Sequence, residues 1–202
     1  MEQTDEQLMR RFQRGEARAF ETLMLRHRTP VYAFLLRLTG ERTRAEDLVQ
    51  ETFLRLVKGA AAWEPRAGVR TWLFTIARHL AVDASRRQVF RAVESLDAPG
   101  ADGQGHRHPP PAATGPAPDE AAEAARLRPR LEAALAALPA EQREVFLLRE
   151  HAGLGFAEIA GATGVNENTA KSRMRYALLA LRERLAADGL VAAGAPPGRG
   201  QP

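Results

Sequence analysis

The sequence contains no cysteine among its 202 residues. This absence excludes disulfide bonds, thiolate metal sites and direct thiol redox sensing, and it fits a reducing compartment. No apolar run approaches the roughly 20 residues that a helix needs to cross a bilayer. The first eight residues are polar and acidic, unlike a secretory signal. We therefore expect a cytoplasmic protein without direct membrane insertion.

Sequence motifs that carry catalytic chemistry are also missing. No His-Glu-x-x-His, phosphate-binding loop or nucleophile motif appears, and the pair Glu150-His151 fits a surface position better than an active site. His106 and His108 lie in a Pro/Gly/Ala-rich stretch without further metal ligands around them. We expect a protein that is not an enzyme and that binds no metal and no cofactor.

Sustained alternation of apolar and polar residues is absent, so the sequence predicts no β-sheet. Apolar residues recur at helical spacing in two stretches, which residues 97–119 separate. This segment holds too few large apolar residues to offset its ordering entropy. The predicted fold is all-α, with two small helical domains joined by a flexible Pro/Gly/Ala-rich linker. The predicted units are a first domain (1–92), the linker (93–122), a second domain with a helix-turn-helix (123–186) and a disordered tail (187–202).

Helix boundaries in both domains are predicted from capping residues, glycine and proline. Thr4 or Asp5 caps the first helix, and Pro30 opens the third. A fourth helix is predicted over about 44–57 and a fifth over about 70–87. In the second domain Pro129 suits a first turn, so a helix is expected to begin near Arg128.

The second domain contains a helix-turn-helix pattern. Phe156 to Ala162 forms a short helix, Gly164 supplies the turn, and Asn166 or Asn168 caps the next helix. That helix has a buried apolar stripe that includes Leu178. Its opposite face offers cations and hydrogen-bond donors near the N-terminus, as a recognition helix in a DNA major groove requires. The candidate DNA-binding residues are Asn168, Thr169, Lys171, Ser172, Arg173, Arg175 and Tyr176.

The fourth helix presents an acidic ridge opposite its core-facing side. Its spacing of i, i+3, i+4 and i+7 puts three polar residues and a leucine on one face, which suits docking against another helix. A solvated helix face is the alternative interpretation. The ridge residues are Asp47, Gln50, Glu51 and Leu54.

The fifth helix and the loop before it carry six arginines and one acidic residue, Asp83, between positions 66 and 91. Cations and an outward aromatic ring suit unpaired DNA, and residues 64–69 could shape a pocket for a flipped base. Phe74 alternatively packs beneath the linker or the first helix. The candidate residues for unpaired DNA are Arg66, Arg70, Phe74, Arg78, His79, Arg86 and Arg87.

Two motif blocks resemble the extracytoplasmic-function sigma factors of bacteria. Ala-Glu-Asp-Leu-Val-Gln-Glu-Thr-Phe, from Ala45, is similar to the segment that docks on core RNA polymerase. Trp-Leu-Phe-Thr-Ile-Ala-Arg-His-Leu-Ala-Val-Asp, with Arg86-Arg87, is similar to the segment that melts and reads the −10 element. The part from Leu138-Pro139 onward resembles the −35-reading domain, with Lys171, Ser172 and Arg173 at contact positions.

The resemblance implies a promoter-specificity subunit with three partners: core RNA polymerase, promoter DNA and an anti-sigma factor. Some positions depart from the family pattern, because His79 replaces asparagine, Gly155-Phe156 replaces Ser-Tyr and Ala170 replaces valine. A stand-alone helix-turn-helix regulator remains the alternative, although it leaves the ridge and the fifth helix without a role.

Overall fold

The computed structural model describes residues 3–94 and 118–190, with side chains for residues 3–88 and 126–190. Within these ranges the fold is all-α, as predicted, and no strand occurs. The α-helices are α1 (Asp5–Gln13), α2 (Ala17–Thr39), α3 (Arg42–Gly59), α4 (Val69–Glu94), α5 (Pro118–Ala136), α6 (Ala140–Glu150), α7 (Phe156–Thr163) and α8 (Glu167–Ala187). None of them is long and apolar enough to cross a membrane.

Helices α1 to α4 form the first half of the fold. Thr4 caps α1 because its hydroxyl accepts from the Gln7 backbone N–H, and the Gln7 side chain accepts from the Thr4 N–H in return. The centre of this half is fully buried aromatic and aliphatic surface. Its largest buried residues include Leu23, Phe34, Leu56 and Leu73.

Helices α5 to α8 form the second half, and α7 and α8 are its helix-turn-helix. Gly164 ends α7 with φ of 73°, a left-handed conformation that glycine adopts without strain. Asn166 then caps α8, because its side-chain oxygen accepts from the Thr169 N–H at 2.8 Å. The predicted turn and one of the two predicted caps are therefore present.

The two halves pack against each other and share one hydrophobic core. Buried residues of the second half, including Val145, Leu148 and Ile159, belong to the same apolar cluster as Phe34 and Phe74. Helix α2 contacts α5 and α6, and α4 contacts α7. This packing covers part of α4.

Several predicted boundaries differ in the structure. Helix α2 continues through Pro30, where buried residues on both sides, such as His27 and Val31, compensate for one missing backbone hydrogen bond. Helix α5 likewise contains Pro129 and begins at Pro118, a proline that suits a first helical position. Residues 93–94 and 118–122 of the predicted linker are thus helical. The rest of that linker and most of the predicted tail lie outside the described residues.

Leu178 does not belong to the buried stripe of α8. Its side chain is 49% exposed, whereas Ala170, Met174, Ala177 and Leu181 are buried. The prediction was wrong because the apolar partners from α5, among them Leu135, cover a narrower sector of α8 than the sequence pattern suggests.

Candidate nucleic-acid and protein interfaces

The ridge predicted on α3 lies on the outward side of that helix. Asp47 and Gln50 are exposed, and Glu51 is half-exposed with its carboxylate 2.9 Å from Nε of Arg55. Leu54 is 52% exposed. The helix is held in place by its opposite side, where all six predicted core residues are buried: Ala45, Leu48, Val49, Thr52, Phe53 and Leu56.

Val57 extends the apolar part of this ridge and was missed by the sequence analysis. It lies three residues after Leu54, so it shares the same face, and it is 39% exposed. The i, i+3 spacing was the signal that would have identified it. The α3 surface therefore combines carboxylates with two exposed aliphatic side chains, a composition that fits a docking helix.

The predicted surface for unpaired DNA lies along α4 and the loop before it. Arg66 is highly exposed and pairs with Glu64 at 2.8 Å. His79 and Arg86 are exposed and lie seven residues apart, so they share one face of α4. Arg87 is exposed, and its Nε donates to the Asp83 carbonyl at 3.2 Å.

Phe74 is buried, which contradicts its predicted position as an exposed ring. Its side chain has no exposed surface, and its ring packs edge to face against Phe34 with centroids 5.4 Å apart. The prediction failed because α4 is covered on two sides, so the outward sector of this helix is narrower than its sequence pattern indicates. Phe74 belongs to the core and contacts no solvent.

Two of the predicted cations on α4 contact the second half. Nε of Arg78 lies 2.7 Å from Glu144, and its Nη1 donates to the Ala162 carbonyl at 2.9 Å. Arg70 is exposed, and its Nη2 donates to the His151 carbonyl at 3.3 Å. Arg78 is thus the one predicted cation of α4 that is largely withdrawn from solvent, with 15% of its side chain exposed.

The loop before α4 lines a cavity of about 830 Å³. Gln13 fixes the loop to α1 by donating to the carbonyls of Ala60 and Trp63 at 2.8 and 2.9 Å. The indole N–H of Trp63 is buried and has no hydrogen-bond partner among the described residues. The first half contributes most of the lining, through Gly59, Ala62, Trp63, Glu64, Arg66, Ala67, Gly68, Thr71, Trp72 and Thr75.

Gly59, the last residue of α3, is the lining residue whose lack of a side chain matters for this cavity. A Cβ at this position would lie 2.8 Å from Cζ2 of Trp72, which is closer than real Cβ contacts. Glycine therefore allows the end of α3 to approach the indole ring. The wall of the cavity depends on this close contact.

The recognition face of α8 is polar, basic and largely exposed. Asn168, Lys171, Ser172, Arg175 and Tyr176 are exposed, whereas Thr169 and Arg173 are partly buried. This arrangement brings all seven predicted residues to the N-terminal half of one helix. Hydrogen-bond donors aimed outward from such a position can reach base edges and phosphates.

The cations of α8 are held by neighbouring groups. The Lys171 ammonium lies 2.7 Å from Glu167, and Arg173 lies 2.7 Å from Glu141 of α6. The guanidinium of Arg175 stacks over the Tyr176 ring, 5.0 Å from its centroid. These contacts orient the side chains before any ligand is bound.

The missing serine cap of α7 is compensated by Glu158. Gly155 has no side chain to cap the helix, but its backbone N–H donates to the Glu158 carboxylate at 2.7 Å. The carboxylate at the start of the helix also faces the positive end of the helix dipole. The departure from the Ser-Tyr pattern therefore leaves α7 well anchored.

Among the described residues, two ionisable groups outside the surface arginine pairs have shifted pKa values, His151 and Asp5. Burial, together with the charge of Arg37, lowers the pKa of His151 below its ordinary 6.5. Burial raises the pKa of Asp5, but hydrogen bonds from His27 and Arg26 outweigh it and leave that pKa lowered. In the described part of the chain no cluster of three or more such groups could hold a metal ion.

Comparison with known proteins matches both halves. Residues 23–99 match the family described as Sigma-70 region 2, and residues 128–181 match Sigma-70, region 4. Among solved structures, the chain is similar to the sigma factor RpoE of Bartonella quintana, determined in complex with the anti-sigma factor NepR. That similarity has a TM-score of 0.65 and 27% identity, and it covers 84% of this chain and 98% of the other.

Two curated relatives are similar over most of their length. The ECF RNA polymerase sigma factor SigL of Mycobacterium tuberculosis is 37% identical over 176 residues, which cover 83% of this chain and 89% of SigL. The RNA polymerase sigma factor CarQ of Myxococcus xanthus is 34% identical over 177 residues, which cover 88% of this chain and 95% of CarQ. The chain therefore belongs to the family of extracytoplasmic-function RNA polymerase sigma factors.

Proposed function

We propose that this sigma factor holds core RNA polymerase through α3 while α4 and α8 bind two separate promoter elements. The observation that carries the proposal is the presence, on one chain, of an acidic-aliphatic ridge and two basic faces on three different helices. No step of covalent chemistry is assigned to the chain, so it acts as a non-catalytic specificity subunit. We place its action in the cytoplasm, with the polymerase.

The docking surface on core polymerase consists of Asp47, Gln50, Glu51 and Leu54, to which Val57 is added. Exposed aliphatic side chains gain from burial against a partner helix, at about 25 cal/mol per Å² of apolar surface. The flanking carboxylates select a partner with basic side chains and fix the register of docking.

The −10 surface consists of the loop before α4 and the cations of that helix, of which Arg78 is largely withdrawn from solvent in this structure. Arg66, Arg70, Arg78 and Arg86–Arg87 supply positive charge for the phosphates of an unpaired strand, and His79 lies on the same face as Arg86. The cavity that Trp63 helps to line offers apolar walls for an unstacked base. Phe74 is omitted from this surface because it is buried.

The −35 surface is the exposed N-terminal half of α8. Its residues enter the major groove, where Arg173 and Lys171 contact bases or phosphates and Asn168, Thr169 and Ser172 donate and accept hydrogen bonds. Each DNA contact is weak by itself. Binding through one chain raises the effective concentration of the second contact once the first has formed.

An anti-sigma factor is the proposed regulatory partner, supported by the similarity to a sigma factor whose structure contains one. The alternative of a stand-alone helix-turn-helix regulator is not favoured, because the family matches cover both halves of the chain. Such a regulator would bind duplex DNA tightly without polymerase, whereas the proposed sigma factor requires it.

Binding of the chain to purified bacterial core RNA polymerase tests the proposal. Glu51→Arg reverses a charge at the centre of the docking ridge, and we expect at least a tenfold loss of affinity, which corresponds to about 1.4 kcal/mol. Glu21→Arg is the matched control, since Glu21 is exposed on α2 and lies outside the ridge. Equal affinity for the two variants would contradict the docking assignment, and no binding by the folded wild type would contradict the function.

A further inference from the structure

Arg173 lies at the edge of the recognition face of α8, beside the buried stripe of that helix. The outermost positions of the face are Asn168, Ser172 and Arg175, which follow one another at i, i+4 and i+7 and are all exposed. Arg173 comes directly before the buried Met174, and only 21% of its side chain is exposed. It therefore occupies a flank of α8 and not the centre of the surface that we assign to the major groove.

A carboxylate from another helix holds Arg173 at this flank. Nη2 of Arg173 donates to Oε2 of Glu141 at 2.7 Å, and Glu141 lies 32 positions earlier in the chain, in the first turn of α6. A carboxylate in a first turn also stabilises its helix through the helix dipole. Because 70% of the Glu141 side chain is exposed, the pair lies at the surface, where DNA can reach it.

The pair of Lys171 with Glu167, on the same helix, is of a different kind. The two residues lie one turn apart at 2.7 Å, and about half of each side chain is exposed, so the pair is weak. Arg173 instead contacts a different helix. Helices α6 and α8 pack together, and their residues Val145 and Ala170 are buried in one apolar cluster. This packing fixes the separation of the two backbones that the ion pair of Arg173 joins.

The ion pair leaves most hydrogen-bond donors of Arg173 open to a ligand. A guanidinium has five N–H donors in a planar fork, and Glu141 accepts from the Nη2 end of that fork. Within the described part of the chain the Arg173 side chain makes no second hydrogen bond. A phosphate oxygen can therefore accept from another N–H of the guanidinium while Glu141 keeps its own contact.

We propose that Glu141 is a positioning residue for promoter binding, which holds Arg173 in the orientation that contacts a phosphate at the edge of the −35 major groove. The inference rests on the proposed −35 role of α8. An arginine side chain loses rotamer freedom when it binds a ligand, and an arginine that is already oriented loses less. Because phosphates carry no sequence information, this pair adds affinity, whereas Asn168, Ser172 and Arg175 supply the sequence preference.

A double-mutant cycle on the holoenzyme tests whether Glu141 acts through Arg173. Four chains are assembled with core RNA polymerase: the wild type, Glu141→Ala, Arg173→Ala and the double variant. Affinity for a promoter selected in vitro by the wild-type holoenzyme is measured over a range of salt concentrations. Glu150→Ala is the matched control, because it removes an exposed carboxylate from the other end of α6. Circular dichroism during thermal unfolding verifies that each variant is folded.

We expect Glu141→Ala to weaken promoter binding about fivefold and Arg173→Ala about tenfold. The double variant should bind no more weakly than Arg173→Ala, because the carboxylate then has no arginine to orient. Arg173→Ala should also lower the salt dependence by about one unit of slope, the value for one lost phosphate contact. Promoters selected with Glu141→Ala should keep the −35 sequence of the wild type. Glu150→Ala should change neither the affinity nor the salt dependence.

Unchanged or tighter promoter binding by Glu141→Ala would overturn the inference, because the carboxylate would then be without effect or would compete with the DNA. An equal loss from Glu141→Ala in the presence and in the absence of Arg173 would overturn it as well, since Glu141 would then act independently. A changed −35 preference in Glu141→Ala would contradict a phosphate contact.

Failure of the proposed function is recognised separately, with the wild-type chain alone. If replacement of the whole −35 segment of the selected promoter left wild-type binding unchanged, α8 would not read that element. The −35 assignment would then be wrong, and the role of Glu141 in promoter binding would fail with it.

Discussion

Nε of Arg78 on α4 lies 2.7 Å from the carboxylate of Glu144 on α6, and the two residues are 66 positions apart in the chain. The pair is largely withdrawn from solvent on both sides. It joins the helix assigned to the −10 strand to the half that carries the −35 reader. A rearrangement of the two halves thus changes which partner Arg78 has.

Phe74→Ala tests whether this ring belongs to the core or to a DNA surface. Because Phe74 is fully buried against Phe34, we expect the free energy of unfolding to fall by about 3–5 kcal/mol, measured by urea denaturation. Phe74→Leu keeps most of the volume and should cost much less. Unchanged stability with lost single-strand binding would contradict the buried position and restore a base-stacking role.

Arg173→Glu tests the recognition helix. The variant reverses a charge on the proposed −35 face, so we expect loss of −35 recognition with unchanged binding to core polymerase. Promoter fragments selected in vitro by the wild-type holoenzyme supply the DNA, and loss of one phosphate contact lowers the salt dependence of binding by about one unit of slope. Arg184→Glu is the control, because Arg184 is exposed near the other end of α8. Equal losses of −35 recognition in Arg173→Glu and Arg184→Glu would contradict the assignment of the N-terminal half of α8 to the −35 element.

Asp5→Asn tests an ion-pair cluster that joins α1 to α2. The Asp5 carboxylate lies 2.6 Å from His27 and 2.5 Å from Arg26, and its pKa is lowered despite burial. A lowered carboxyl pKa adds stability above the ordinary pKa of 3.8, and that stability disappears as the pH falls through the folded-state pKa. At neutral pH we expect the variant to lose about 1–3 kcal/mol.

The pH profile of the same variant provides its control. Between neutral pH and the acid unfolding region, the wild type and Asp5→Asn should converge in stability as the wild-type carboxylate becomes protonated. Parallel profiles with a constant difference would show that the charge of Asp5 is not the source of the loss.

Because His151 is partly buried beside the first half, we expect the packing of the two halves to depend on pH. Burial, together with the charge of Arg37 on α2, lowers its pKa, and its carbonyl accepts from Arg70 on α4. Burial disfavours the charged imidazolium, so protonation of His151 lowers the stability of the packed form as the pH falls below the ordinary pKa of 6.5. Energy transfer between dyes attached at positions 21 on α2 and 183 on α8 should therefore fall as the pH drops below about 6.5. In His151→Gln the energy transfer should change less with pH. A change identical to that of the wild type would contradict protonation of His151 as the cause.

The sequence correctly predicted the faces of helices that are buried on one side and exposed on the other, because the helical period alone then separates inward from outward residues. The docking ridge of α3 was identified correctly as an outward face because one side of that helix is buried and the other is exposed. The turn at Gly164 and the cap at Asn166 were predictable because their conformations depend on local chemistry. Apolar residues at helical spacing, without sustained alternation of apolar and polar residues, likewise predicted an all-α fold.

The predictions that failed depend on tertiary contacts, which the spacing of residues along one helix does not reveal. Helix α4 is covered from two directions, so a two-sided division into inward and outward residues misplaced Phe74. Tertiary packing carried α2 through Pro30, where local rules predict a helix start. The Arg78–Glu144 pair joins distant segments, and no spacing rule connects them.

The most direct test of the proposed function is the separation of the two halves, measured by energy transfer in the free chain and again on core RNA polymerase. Cysteines introduced at two exposed positions, Glu21 on α2 and Glu183 on α8, carry the donor and the acceptor dye. We expect high energy transfer in the free chain and low transfer on the polymerase, where Arg78 exchanges Glu144 for the promoter strand. The same transfer efficiency in both states would contradict the proposed function.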